Sequence, residues 1–245
     1  MKRLHVPDKK TILKAVLIGI IVSLHWITFY AAIKESNVSV AISCFSSLAL
    51  FTTIIDALAN NKRLQLAEVL LSIAVIAGIC IIFSVQQLYA KGMILSIISA
   101  FLAALFSVYN KRLYFQHDPG TITVYELGSG FLFLALAFPL YLYNGEQTFI
   151  WPSLHDWFYL IILSVICTSF AFTIGNYALQ KLDAFTCNLT VNLEPVYSII
   201  LAIIIFKENE MLNPGFYLGT LIILASVIIH TIFKFRQVKK IKHKS

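Results

Sequence analysis

Glu194 and Pro195 stand side by side inside the apolar stretch LTVNLEPVYSIILAIIIF, residues 189–206. A bare carboxylate at the centre of a bilayer costs about 3 kcal/mol or more, so this one must be protonated or paired. Two chemistries fit. The carboxyl couples proton movement or binds a substrate amine, or it is a protonated glutamate bonding a neighbouring helix. Pro195 lacks an N–H and crowds the turn before it, so the carbonyl of Val191 loses its helical partner and the span bends near its middle. A freed carbonyl is tolerated there only against protein or a wet cavity. On the same span Asn188 and Asn192 share one face, while Cys187, Thr190, Glu194 and Ser198 form another. Both faces cannot line one narrow cavity equally, so one of them bonds across a helix interface.

Further polar groups recur at helical spacing. His25, Trp26, Tyr30, Tyr109, Asn110 and Tyr125 are cavity candidates, because bulky polar groups do not serve close helix packing. Ser43, from the Ser39–Ser43–Ser46 stripe, joins that set. The stripes that carry Ser23, Ser96, Ser99 and Ser164 are those of close packing through small residues. His25 titrates near neutral pH unless it is a satisfied interior histidine. Glu126, near the end of its span, is expected to snorkel or to pair with Lys111 or Arg112. Asp56 is expected to meet Lys62 or Arg63, and His230 to lie at the interface.

Catalytic patterns are missing. The sequence has no Gly-rich phosphate loop, HExxH, GxSxG or carboxylate cluster, so no enzyme activity, cofactor or metal is expected. Cys44, Cys80, Cys167 and Cys187 all fall in apolar runs without CxxC spacing and read as packing residues.

The elements that must hold these groups are set by composition. Of 245 residues 59% are hydrophobic and 13% charged, and the mean hydropathy is +0.82. The apolar residues come in long runs, not stripes, so the solvent around them is lipid. Eight spans are expected, at 12–33, 37–58, 66–86, 92–113, 121–143, 157–179, 185–206 and 214–235. Each has about the 20 residues that cross the hydrocarbon core. The fold class is thus an all-α polytopic membrane protein with eight transmembrane helices. With the N-terminus inside, 16 of 19 Lys and Arg fall on the cytoplasmic side, leaving Lys34, Lys91 and Lys207 outside. That asymmetry puts both termini in the cytoplasm. The net charge of +7 is therefore an orientation signal, and no nucleic acid is implied.

Two stretches look alike: one begins at Ala31 and the other at Tyr177. Ala32 matches Ala178, Asn37 matches Asp183 and Gly78 matches Ser226, with a separation of 146 that grows to 148. Their spans run in opposite directions, which makes the repeat inverted, an architecture of transporters.

The stretches SLHWITFYAAIKESNVSVAISCFSSLALF, LSIISAFLAALFSVYNKRL, NYALQKLDAFTCNLTVNLEPVYSIILAIIIFKE and NPGFYLGTLIILASVII resemble the EamA family of the drug/metabolite transporter superfamily. The resemblance implies two inverted five-helix repeats. Span 12–33 looks like the third helix of the first, so residues 1–88 are expected to be a truncated three-helix repeat. Residues 89–236 would be a complete five-helix repeat and 237–245 a basic cytoplasmic tail. Leu48-Ala49 stands where the second copy has Glu194-Pro195. The resemblance implies an integral protein of the inner membrane that exports a small polar metabolite, such as an amino acid, by alternating access. The partners implied are the lipid bilayer and a small-molecule substrate. The alternative is a non-transporting membrane fragment needing a partner chain, and a homodimer is also left open; an intramembrane enzyme is the third class.

Overall fold

The computed structural model describes residues 7–61, 63–64, 66–144, 151–181 and 184–242, with side chains omitted at 115, 140–144, 176, 178–181, 184–193, 234–235 and 237–242. Among the described residues every regular element is helical. In chain order they are α1 (Lys9–Glu35), α2 (Val38–Phe45), α3 (Leu48–Ala59), α4 (Leu66–Val85), α5 (Ala90–Gln116), α6 (Pro119–Asn144), α7 (Leu154–Ile161), a π-helical run (Ile162–Phe170), α8 (Ala171–Lys181), α9 (Ala184–Phe206) and α10 (Pro214–Lys242). Seven of the resulting helical stretches are long and apolar enough to cross a membrane. The eighth expected span coincides with α9, whose described apolar part, Glu194–Phe206, is shorter.

Local chemistry explains the helix ends. Asn37 caps α2, its side chain accepting from the Val40 N–H at 2.8 Å. Asp118 precedes Pro119, and its Oδ2 accepts from the Thr121 N–H at 3.0 Å, so a capping acid and an N1 proline start α6 together. Ser153 and Asp156 form a capping box at α7. Before α1, the Thr11 hydroxyl bonds the Asp8 carboxyl and holds it below the usual carboxylate range.

One expected span is not continuous. The stretch 37–58 breaks at Ser46-Ser47 into α2 and α3. There the backbone tightens to i→i+3 bonds, from the Ser47 N–H to the Cys44 carbonyl at 3.1 Å and from the Ala49 N–H to the Ser46 carbonyl at 3.4 Å. The Ser46 hydroxyl also bonds back to the Ile42 carbonyl, the competition with backbone bonding that makes paired serines helix breakers. The matching region of α9 contains Pro195 and yet stays helical.

The spacing between the two look-alike stretches recurs in the backbone. α2 and α9 begin at Val38 and Ala184, 146 positions apart. Asn61 and Lys207, also 146 apart, are the two described non-glycine residues with positive φ, 50° and 54°. α4 and α10 begin at Leu66 and Pro214, 148 apart. The two-residue gap therefore falls in the turn between the αL residue and the next helix.

The chain packs as two compact units, Met1–Ser23 with Tyr109–Leu182, and Leu24–Val108 with Asp183–Ser245. In the first unit Gly19 of α1 lies against the Glu126 carbonyl and Ser129 of α6, and Gly130 of α6 lies against Ser23 of α1. In the second unit Val40, Cys44, Ile82, Met93, Phe216 and Ile223 form a common core from α2, α4, α5 and α10. α4 and α10 approach through glycines. A Cβ added at Gly78 would lie 2.8 Å from the Gly219 carbonyl oxygen, and one at Gly219 would lie 2.7 Å from that of Gly78. Small residues let membrane helices gain dispersion contacts at close range, in place of the hydrophobic drive that lipid removes.

Candidate functional site

Glu194 is the eleventh residue of the 23-residue α9, at its middle. Its side chain is exposed, whereas Pro195 beside it is buried. Tyr197 and Ser198, three and four positions on, are exposed and half-buried. The Asn188 and Asn192 side chains lie outside the described residues.

In the second unit His25 is buried and bonded through Nδ1. Its Nδ1 is 2.8 Å from the Ser99 hydroxyl and 3.1 Å from the Ser99 carbonyl, and that hydroxyl also bonds the His25 carbonyl at 3.0 Å. The rings of Phe29, Phe45 and Phe106 surround the imidazole at 5.1–6.1 Å spacings within the cluster. This is the satisfied interior histidine of the two expected readings. Trp26 is half-buried and Tyr30 exposed, with Tyr30 edge-on to Phe29 at 5.9 Å. Ser43 is buried, 3.1 Å from the Thr220 hydroxyl, so it ties α2 to α10. Ser96 likewise bonds the Ala41 carbonyl and ties α5 to α2.

In the first unit Tyr109 is exposed and Tyr125 half-buried, while Asn110 is buried. Asn110 and Tyr114 are four apart on α5 and share a face. Asn110 Nδ2 donates to the Tyr114 hydroxyl at 2.8 Å, and that hydroxyl donates to Glu126 Oε2 at 3.1 Å. Glu126 therefore neither snorkels nor pairs with Lys111 or Arg112, as its sequence position suggested. It sits seven residues into α6, about 10 Å along the helix axis, and only 1% of it is exposed. Close packing of α6 on Gly19 carries it into the helix interface instead of the rim.

His230 bonds the Thr53 hydroxyl at 3.2 Å. Asp56 accepts from Asn60 Nδ2 at 2.6 Å, one turn on; its expected partner Lys62 lies outside the described residues.

Sequence reasoning missed three acidic or phenolic groups. Tyr114 had its signal in the i, i+4 spacing with Asn110. Glu68, in the first turn of α4, is buried beside a cavity of about 10 Å³ shared with Thr53, Ser226 and His230, room for one water. Glu208 follows α9 and is buried. Its two oxygens accept from the Val38 and Ser39 N–H groups, both at 2.8 Å, at the first turn of α2. No local signal marks that contact, since 169 residues separate Ser39 from Glu208.

A family model described as EamA-like transporter family matches residues 1–84 and 90–232. A protein of Archaeoglobus fulgidus described as an uncharacterized transporter is 27% identical over 203 residues, covering 80% of this chain and 66% of its own length. The chain thus spans just under two thirds of that relative. A crystal structure of a protein without further description superposes with a TM-score of 0.61 at 16% identity, covering 94% of this chain and 77% of the other. That likeness shows a shared helical fold.

Proposed function

Because the chain belongs to the EamA-like transporter family and is an integral membrane protein, we propose that it exports a small polar metabolite, of the amino-acid class, by alternating access. The observation that carries this is the state of Glu194. A carboxyl exposed at the middle of an apolar helix is too costly against lipid, so it faces a wet path. Pro195, buried behind it, directs the helix so that the carboxyl stays on that path. Glu194 then serves as the coupling group, gaining or losing a proton as the path opens to one side or the other. His25 is buried and bonded to Ser99, and takes the role of a positioning residue at most.

The repeats supply the motion. Residues 1–88 and 89–236 act as related copies, a reading supported by the two matched stretches and by the 146- and 148-residue spacings of helix starts. Similar halves of opposite direction can exchange roles between two related states. Both termini lie on the cytoplasmic side of the inner membrane, a reading supported by the 16-to-3 distribution of Lys and Arg.

The test is resistance. Overexpression protects cells from one toxic amino acid or analogue in a screen, and Glu194→Gln removes the protection while the protein still reaches the membrane. Full protection by Glu194→Gln would take the coupling role from Glu194. Conversion of the compound by purified protein in detergent would replace transport with an enzyme reading.

A further inference from the structure

The Asn110–Tyr114–Glu126 cluster of the first unit is built from one-way hydrogen bonds. Asn110 Nδ2 donates to Tyr114, and Tyr114 donates to Glu126 Oε2. Two acceptor atoms are then left over, Asn110 Oδ1 and Glu126 Oε1, and both are buried with no hydrogen-bond partner. The residues that own them are 4% and 1% exposed. The Asn110 side chain lies against the same carboxyl. Native interiors rarely leave such atoms unpaired, and the deficit here is one of hydrogens, not of acceptors.

One proton answers both shortages. Placed on the Glu126 carboxyl it removes the buried charge and turns Oε1 from an unpaired acceptor into a donor, for which Asn110 Oδ1 is the unpaired acceptor of the same cluster. We propose that this cluster is a proton-binding site, in which Glu126 carries a dissociable proton held by Asn110 and Tyr114. It is distinct from Glu194, which belongs to the other unit and is exposed.

The surroundings fit a site for a proton and not for a larger cation. α1 presents Gly19, whose Cα abuts the Glu126 backbone carbonyl and leaves no side chain between the helices. α5 presents Asn110 and Tyr114, while Lys111 and Arg112, next along it, are exposed. α6 itself adds Thr123 beside the Tyr114 hydroxyl. α8 meets α6 two turns away, where Tyr177 bonds Asp118 at 3.3 Å. Among the described residues the Glu126 carboxyl is hydrogen-bonded by Tyr114 and forms no ion pair.

The inference goes beyond the transport reading and does not depend on it, because the proton can be read without a substrate. The full chain in lipid nanodiscs is followed by infrared difference spectroscopy over a pH titration. The wild type is expected to show the C=O stretch of a protonated carboxyl at neutral pH that is lost in Glu126→Gln. In Tyr114→Phe the band stays and moves to higher frequency, because a hydrogen bond to the carboxyl is gone. In Asn110→Leu it moves as well. The band loses intensity as the pH is raised. Carboxylate stretches from Glu126 at neutral pH would overturn the proposal, pointing to a buried water as the missing donor. A protonated band unmoved by both Tyr114→Phe and Asn110→Leu would also overturn it. Should Glu126→Gln fail to fold, those two variants still decide the matter.

Discussion

Replacing Glu208 with alanine removes a clasp that the fold makes across 169 residues. Its carboxylate accepts from the Val38 and Ser39 N–H groups at 2.8 Å each, while Asn37 serves the Val40 N–H. Three of the four N–H groups that every helix start leaves open are thus paired at α2, two of them by Glu208. Hydrogen bonds to a charged partner contribute about 1.5–3 kcal/mol each, and a buried donor left unpaired costs about 1–3 kcal/mol. Ser39 is fully buried and Glu208 nearly so, which keeps water from replacing the lost acceptor fully. Allowing for partial hydration at Val38, the loss comes to about 3 kcal/mol. In a chain of this size about 1 kcal/mol moves the midpoint by about 2–4 °C, so an apparent Tm lower by about 6–12 °C is expected for Glu208→Ala in detergent. Glu208→Gln keeps one acceptor oxygen but turns an amide N–H toward the second donor, so it should recover less than half of the difference. Hydrogen exchange supplies the local readout: the amides of Val38 and Ser39 should exchange faster in both variants, with Val75 and Ile82 unchanged. A Tm within about 1 °C of wild type for both variants, with unaltered exchange at Ser39, would refute the account of Glu208 as a helix clasp.

Lys207 holds φ at 54° without being glycine, so Lys207→Gly should stabilise the turn by up to about 1 kcal/mol, seen as a small rise in Tm. Gly219→Val would press a branched side chain onto the Gly78 carbonyl and Ile82, so a loss of about 3 kcal/mol and poor detergent stability are expected. Gly128→Ala and Gly175→Ala meet nothing within 4 Å, so they should be neutral or stabilising by up to about 1 kcal/mol, which makes them controls for the glycine contacts. Ser99→Ala strips His25 of its hydroxyl partner and should lower Tm by the equivalent of about 1–2 kcal/mol, whereas Ser164→Ala, exposed, should change nothing measurable.

Membrane physics made much of this protein legible before any coordinates. Lipid solvates no backbone polar group, so runs of about 20 apolar residues have to be helices. That fixed the class and the approximate bounds of α1, α4, α5, α6 and α10. The likeness of the two stretches was readable for a related reason. Asn37, and the polar turns at Asn61 and Lys207, sit where one helix gives way to the next, and turn chemistry leaves a mark in residue type. Ser46 was visible as the end of the Ser39–Ser43–Ser46 stripe, but the break it forms with Ser47 was not, because a hydroxyl that lines or packs a helix and one that breaks it look the same in sequence.

What only tertiary structure decided was which polar group meets which. Hydropathy along the chain places Glu126 near a helix end, and a helix end usually means snorkelling. The close approach of Gly19 instead put that carboxyl between helices, within reach of Tyr114. Glu208 reads as one more charge in an exterior loop until folding brings the start of α2 beneath it. Apolar content is a sum over neighbours in sequence, so the chain determined its medium and its rods by itself. Pairing is directional, falls off within about an ångström of the ideal distance, and joins residues more than a hundred apart, so it belonged to the packed structure alone.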